Sequence, residues 1–270
     1  MADLNPRQKE AVRYIDGPLL VLAGAGSGKT RVITQKIAHL IQNCGISPRN
    51  IAAVTFTNKA SREMKERVGK LLAGKESKGL RVSTFHTLGL DIIRKELKAL
   101  GYKAGFSIFD SQDSATLVRE LLRRESVDDA QVEEIQRLIS SWKNSFIVPE
   151  VAAANAPDTL THGAARLYAE YNRHLKAYNA VDFDDLIMLP VVLFEQHPDI
   201  LEKWQNQIRY LLVDEYQDTN ATQYRLVKLL VGPRAALTVV GDDDQSIYAW
   251  RGAQPENLAL LSQDFPQLKV

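Results

Sequence analysis

The sequence predicts an α/β fold: a parallel sheet carrying a phosphate-binding loop, with an all-helical region inserted between its third and fourth strands. Three observations carry that prediction. Short apolar runs alternate with helical stripes over the first 84 residues, helical spacing dominates from about 110 to 205, and short apolar runs then return.

Leu19-Leu20-Val21-Leu22-Ala23, bounded by Gly17-Pro18 and a glycine cluster, has the composition of a buried parallel strand. A helix follows from Lys29 to about Gln42, with Val32, Ile33, Ile37, Leu40 and Ile41 on one side. Ile51 to Phe56 reads as the second strand. Asn58 is placed to cap the next helix, whose stripe is Ala60, Met64, Val68, Leu71 and Leu72. Arg81 to Thr84 is a third, short strand, and the helix after it carries Leu88, Ile92, Ile93, Leu97 and Leu100.

In the helical stretch Asp110 with Asp113 marks a helix start, and Leu117, Val118, Leu121 and Leu122 form one stripe. Leu167, Tyr168, Tyr171, Leu175 and Tyr178 form another, punctuated around by Pro149, Pro157, Pro190 and Pro198. Strands resume at Ile208 to Val213 and Leu237 to Val240, and Leu268-Lys269-Val270 begins another. The implied domains are a sheet domain from residues 1–84 and 196–270 and a helical one from 85–195.

The 270 residues are 45% hydrophobic and 25% charged, which excludes a disordered chain. The longest apolar run, Leu186 to Phe194, is interrupted by Pro190 and falls far short of the about 20 residues of a membrane helix. No basic segment followed by an apolar one opens the chain, and Cys44 is the single cysteine, so a cytoplasmic protein without a membrane partner is expected. Cys44 and His39, His162, His174 and His197 lack metal-ligand spacing, so no zinc is expected.

The net charge of +1 hides a polarity. Residues 1–84 hold 15 Lys and Arg against 6 Asp and Glu, a balance of +9; residues 85–195 stand at −5 and 196–270 at −3. A basic N-terminal part hints at a polyanion, although such segments are also ordinary solvated surface.

The motifs sharpen the hint. Ala23-Gly24-Ala25-Gly26-Ser27-Gly28-Lys29-Thr30 follows a strand and opens a helix, the context a phosphate loop requires. Glycines let backbone N–H groups nest around phosphate, and the helix N-terminus adds its positive dipole end. Lys29 would reach the β- and γ-phosphates and Thr30 would ligate Mg²⁺; Ala23 stands where the simple pattern has glycine. The strand ending at Val213 delivers Asp214-Glu215 at its carboxyl end, where open parallel sheets place ligands. Asp214 would hold Mg²⁺ and Glu215 would orient and deprotonate an attacking water. After the next strand, Gly241-Asp242-Asp243-Asp244-Gln245 puts Gln245 where a γ-phosphate is sensed, and the same composition also fits a capped acidic turn. Together these residues point to nucleoside triphosphate hydrolysis.

The motif series resembles superfamily 1 DNA helicases of the UvrD/Rep type, nearest the Rep branch, over essentially the whole chain. The resemblance rests on Leu4-Asn5-Pro6-Arg7-Gln8, the phosphate loop with Arg31, Thr55-Phe56-Thr57-Asn58-Lys59-Ala60, Thr84-Phe85-His86-Thr87, Asp182-Phe183-Asp184-Asp185-Leu186, Asp214-Glu215-Tyr216-Gln217-Asp218, and Gly241 through Gln245-Ser246-Ile247-Tyr248-Ala249-Trp250-Arg251-Gly252. It implies a P-loop NTPase (RecA-like) motor domain 1A with an inserted 1B subdomain, ATP as substrate and Mg²⁺ as cofactor. Gln8 matches the glutamine that recognises adenine, Arg31 an arginine near the nucleotide, Asp214 the magnesium ligand, Glu215 the base and Gln245 the γ-phosphate contact. Phe56, Thr57, Asn58, Thr84, His86, Tyr248, Trp250 and Arg251 match positions along a single-stranded DNA track. Aromatic faces suit such a track, since stacking is sequence-independent and worth about 1–3 kcal/mol per base. By pattern alone Phe56 also fits core packing, Tyr248 and Trp250 one face of an edge strand, and His86 a capping role.

The resemblance implies a 3′→5′ helicase acting on single-stranded DNA and single-strand/duplex junctions in replication or repair, as a monomer or a DNA-induced dimer. Family members continue into a second motor domain whose motifs do not occur here. The expectation is therefore that these 270 residues bind nucleotide, hydrolyse it very slowly and do not unwind DNA. The helicase part of a recombination helicase-nuclease, a non-translocating ATP-dependent DNA switch or clamp loader, and an RNA substrate remain as alternatives.

Overall fold

The computed structural model describes residues 3–24, 28–72, 74–122, 129–242 and 256–270. The chain divides into two compact units. The first comprises Met1–Leu88, His197–Asn220 and Tyr224–Val270, and the second comprises Gly89–Gln196 with Ala221–Gln223.

In chain order the elements begin with α1 (Pro6–Arg13), β1 (Leu19–Ala23), α2 (Lys29–Gln42), β2 (Ile51–Thr55), α3 (Asn58–Leu71), β3 (Arg81–Thr84), α4 (Phe85–Lys95) and α5 (Leu97–Leu100). They continue with β4 (Ser107–Phe109), α6 (Ser111–Leu122), α7 (Asp129–Asn144), α8 (Pro149–Ala154), α9 (Thr159–Ala177), β5 (Ala180–Asp182) and α10 (Asp185–Gln196). The chain closes with α11 (Pro198–Gln207), β6 (Tyr210–Val213), α12 (Ala221–Val231), β7 (Leu237–Asp242) and α13 (Glu256–Asp264).

The first unit is built on a five-stranded sheet in the order β1-β7-β6-β2-β3. Every pairing is parallel, so all five strands present their carboxyl ends along one edge. Strand β2 is buried at all five positions, and β6 at all four, as strands covered on both faces must be. Beyond β1 the chain's last residues extend the sheet: Leu20 N donates to Lys269 O at 2.8 Å and Lys269 N to Pro18 O at 3.0 Å. The core under the sheet joins Ile33, Ile37 and Leu40 of α2, Met64 and Val68 of α3, and Ile51, Ala53, Leu212 and Val240 of the strands. The sheet and its order of motifs carry the predicted fold class. Three strand boundaries shift, since β2 stops at Thr55, Ile208 instead receives the C-terminal end of α11 and β7 runs on to Asp242.

Asn58 does not cap α3. Thr57 is the N-cap, its hydroxyl accepting from Ala60 N at 3.1 Å, and Asn58 is the first helical residue. Asp110 and Asp113 do start α6, each carboxylate accepting the other's backbone N–H at 2.8 and 3.1 Å.

In the second unit α6, α7, α8 and α9 enclose a core of Leu117, Val118, Val132, Ile135, Ile139, Tyr168, Tyr171 and Leu175. Trp142 stacks on Tyr168, with ring centroids 5.5 Å apart. Tyr178 leaves the stripe and is 55% exposed. The region read as all-helical also holds a two-stranded parallel ladder, Ser107 to Phe109 beside Ala180 to Asp182. Strands of three residues, one with two exposed positions, leave no period to detect. Among the described residues no helix is long and apolar enough to cross a membrane.

Candidate nucleotide site

Gly28 is the N-cap of α2 at φ 81°, a left-handed conformation that glycine adopts without strain. Among the described residues no side chain caps the N-terminus of α2. Its first N–H groups are therefore available to an anion, and the helix dipole adds positive potential there.

A cavity of about 580 Å³ opens at this end of the sheet. Gly28, Lys29, Thr30 and Arg31 line it from α2, Asp214 and Glu215 from beyond β6, Asp242 from the end of β7, and Phe56 and Thr57 from beyond β2. The parallel sheet is the reason these residues meet: each follows the carboxyl end of a strand.

Lys29 Nζ forms an ion pair with Asp242 Oδ1. Asp214 is buried, and its Oδ1 accepts from Glu215 N at 2.9 Å. Burial, with the negative charge of Glu215 next to it, pushes the Asp214 carboxyl up to about 6. A divalent cation would relieve that penalty, and Thr30 supplies a hydroxyl in the same cavity. One carboxylate and one hydroxyl, with substrate phosphates, is a donor set suited to Mg²⁺. Among the described residues no group of three or more His, Cys, Asp or Glu forms a metal cage of its own.

Glu215 sits at φ 51°, ψ 45°, a left-handed conformation that is costly for a non-glycine residue. Gln217 steadies its carboxylate. Its Nε2 donates to Glu215 Oε2 at 2.5 Å, and its Oε1 accepts from Asp242 N at 3.0 Å. A Cβ on Gly241 would meet that Oε1 at 2.7 Å, so a side chain at 241 would push the Gln217 amide from this position. Gln217 thus joins the ends of β6 and β7, a role that single-sequence reading missed. By sequence Asp242 fits an acidic turn, and its partnership with Lys29 is visible only in the fold. Arg67 of α3 and Asp218 also line the cavity, and neither was anticipated.

The structure brings Lys29, Thr30, Arg31, Asp214, Glu215, Phe56 and Thr57 to one cavity. Gln8 is on α1, inside a capping box in which Asn5 N donates to Gln8 Oε1 at 2.9 Å and Gln8 N to Asn5 Oδ1 at 2.8 Å. The Gln8 Nε2 lies 3.3 Å from where a Cβ on Gly28 would stand, beside the cavity and not in its wall. Ala23 ends β1, and Gly24 follows it. Ala25, Gly26, Ser27, Gln245, Tyr248, Trp250 and Arg251 lie outside the described residues.

Of the track candidates, Phe56 packs on buried Phe85 at 5.3 Å between centroids, which leaves it half-buried. Asn58 is exposed. Thr84 is buried, and its hydroxyl accepts from Thr87 N at 3.1 Å, capping α4. Burial pushes His86 down to about 4, so it presents a neutral imidazole at physiological pH.

The sequence profile of the UvrD/REP helicase N-terminal domain matches residues 4–266. The chain is 61% identical over 268 residues to the ATP-dependent DNA helicase Rep of Escherichia coli (strain K12), covering 99% of this chain and 40% of that protein. The ATP-dependent DNA helicase Rep of Buchnera aphidicola subsp. Schizaphis graminum is 48% identical over 268 residues, 99% of this chain and 41% of that protein. The ATP-dependent DNA helicase PcrA of Staphylococcus aureus (strain Mu50) is 45% identical over 266 residues, 98% of this chain and 36% of that protein. The chain thus spans about 40% of the length of the Rep proteins it matches.

Proposed function

This chain belongs to the UvrD/Rep helicase family, and from that premise we propose that it is the ATP-binding motor domain 1A, with its 1B subdomain, of an ATP-dependent DNA helicase. The observation that carries the reading is the single cavity where the uncapped N-terminus of α2, with Lys29 and Thr30, faces Asp214 and Glu215. Phosphate binding draws Lys29 from Asp242 toward the β- and γ-oxygens. Thr30 and Asp214 would hold Mg²⁺, which would neutralise phosphate charge when bound. Glu215, steadied by Gln217, orients water and takes its proton. Gln8 reads adenine, Arg31 lies near the nucleotide, and Gln245 reports the γ-phosphate.

The same reading makes Phe56, Thr57, Asn58, Thr84 and His86, with Tyr248, Trp250 and Arg251, the wall of a single-stranded DNA track travelled 3′→5′. For Thr84 and His86 the contribution is scaffolding and a neutral polar surface, given a buried hydroxyl and an uncharged imidazole. Turnover by these 270 residues alone is expected to be far slower than in the longer relatives, an arginine from outside a nucleotide site being worth about 10³ to 10⁵ in rate.

The test pairs ATP binding with DNA-stimulated phosphate release. Lys29→Ala should abolish measurable nucleotide binding. Glu215→Gln should bind ATP normally and lose about 10²- to 10⁴-fold in turnover of the full-length protein. Undiminished turnover in Glu215→Gln would overturn the assignment of the base.

A further inference from the structure

Among the described residues of the sheet unit, one fully buried cation is not used by the proposed reaction. Lys36 of α2 is fully buried, and its Nζ donates to Ala11 O at 3.0 Å and Tyr14 O at 2.6 Å. The Tyr210 ring lies 5.7 Å from the same ammonium. Two carbonyls and an aromatic face therefore occupy its surroundings.

Those carbonyls belong to the C-terminal end of α1. The last carbonyls of any helix lack intrahelical partners and carry the negative end of its dipole. Helix α1 has eight residues, too few to be stable alone. Its N-terminus is closed by the Asn5–Gln8 capping box, and its C-terminus is closed by Lys36. At the surface Lys269 adds a weaker tie, pairing with Glu10 at 3.0 Å and lying 4.8 Å from the Tyr14 ring centroid.

Lys36 follows Lys29 by seven residues, two helical turns, so both leave the same side of α2. One grips α1 and the other lines the nucleotide cavity. Gln8 is on the gripped helix, with its amide against Gly28 at the start of α2.

We propose that Lys36 is the positioning residue for base recognition: by clamping α1 to α2 it fixes the distance between Gln8 and the phosphate grip of Lys29. This rests on the nucleotide-site reading above and deepens it. An amide can donate and accept at once, which matches the exocyclic amine and ring nitrogen of adenine and not the paired acceptors of guanine. Such discrimination survives only while the amide stands at a fixed distance from the phosphates. Burial pushes the Lys36 ammonium down to about 7, the nearby Cys44 acting in the opposite sense.

The test measures ATP, GTP and inorganic tripolyphosphate affinities of the intact protein by titration calorimetry. Lys36→Met should lower the preference for ATP over GTP about tenfold while tripolyphosphate affinity stays within about twofold. Lys36→Arg, which keeps charge and donors, should recover part of the preference. Lys269→Ala, at an exposed contact, should move it in the same direction by about twofold. An unchanged preference in a folded Lys36→Met, or equal losses for ATP and tripolyphosphate, overturns the proposal. If Lys36→Met does not fold, Lys269→Ala decides, and an unchanged preference there overturns it. A wild-type protein that binds neither ATP nor tripolyphosphate defeats the site reading itself, and the positioning role with it.

Discussion

Each unit sets a lysine among carboxylates, with opposite results. In the sheet unit Lys29 pairs with Asp242 at the rim of a cavity that also holds Asp214 and Glu215, and the lysine is 10% exposed. In the helical unit Lys143 is 1% exposed and bonds Asp182 at 2.8 Å and Asp185 at 2.9 Å. Around it the polar groups are mutually satisfied: Tyr171 donates to Asp182 at 2.8 Å, and the two aspartates accept each other's backbone N–H. Asp182 and Tyr171 also line a cavity of about 220 Å³, but the lysine itself is spent on its two aspartates and the cluster acts as structure. The open one keeps strained and desolvated groups facing a cavity, the condition under which ligand binding repays the cost.

Removing the two lysines should separate these roles most sharply. Burial would lower Lys143, but Asp185 and Asp182 hold it well above the usual lysine range. Burial and the charge of Asp182 push Asp185 to about 7, and although burial also opposes Asp182, Lys143 keeps that carboxyl below its ordinary value. Lys143→Met strands two carboxyls in the interior and should destabilise the protein by about 3–5 kcal/mol in urea unfolding. The loss should grow from pH 5 to pH 8, because both carboxyls then prefer to be protonated in the folded state. Lys29→Ala should cost less in the same assay, because Asp242, left without its partner, lies at a cavity that admits water. Equal losses would erase the distinction between the clusters.

A smaller effect of opposite sign is expected at Asp214. Its folded value of about 6 stands above the ordinary 3.8. A raised carboxyl contributes stability that is present below about pH 4 and lost as pH rises through 6. Asn imitates the protonated form, so Asp214→Asn should stabilise the protein by on the order of 2 kcal/mol at pH 8 and by nothing at pH 3. The same change should abolish Mg²⁺-supported turnover. A pH-independent difference would show that Asp214 is not held near protonation.

What could be read from the sequence follows the same division. Asp214 and Glu215 were legible because a buried strand delivers them, and Lys29 and Thr30 because glycines and a helix start surround them. The partners were not. Lys29 and Asp242 are 213 residues apart in the chain, Gln217 and Asp242 are 25 apart, and Lys143 and Asp182 are 39 apart. Only the folded chain brings such pairs together, and no local period announces them. Helix α1 was legible in principle, since Asn5, Pro6 and Gln8 make a capping box with proline at the first helical position. The three-residue strands β4 and β5 were not.

The smallest expected effect tests the rim of the open site, where sequence and structure disagree by one residue. Thr57 accepts from Ala60 N and begins α3, while Asn58 is exposed one position later. Thr57→Ala should cost about 1 kcal/mol through the lost cap, and Asn58→Ala less than about 0.5 kcal/mol. Both residues are candidates for the DNA track, so stability and single-strand affinity must be read together. If the rim serves DNA, Asn58→Ala should weaken single-strand binding at unchanged stability, whereas Thr57→Ala should weaken both. An Asn58→Ala protein as destabilised as Thr57→Ala would return the cap to position 58. Unchanged DNA affinity in both would leave that rim a helix start and nothing more.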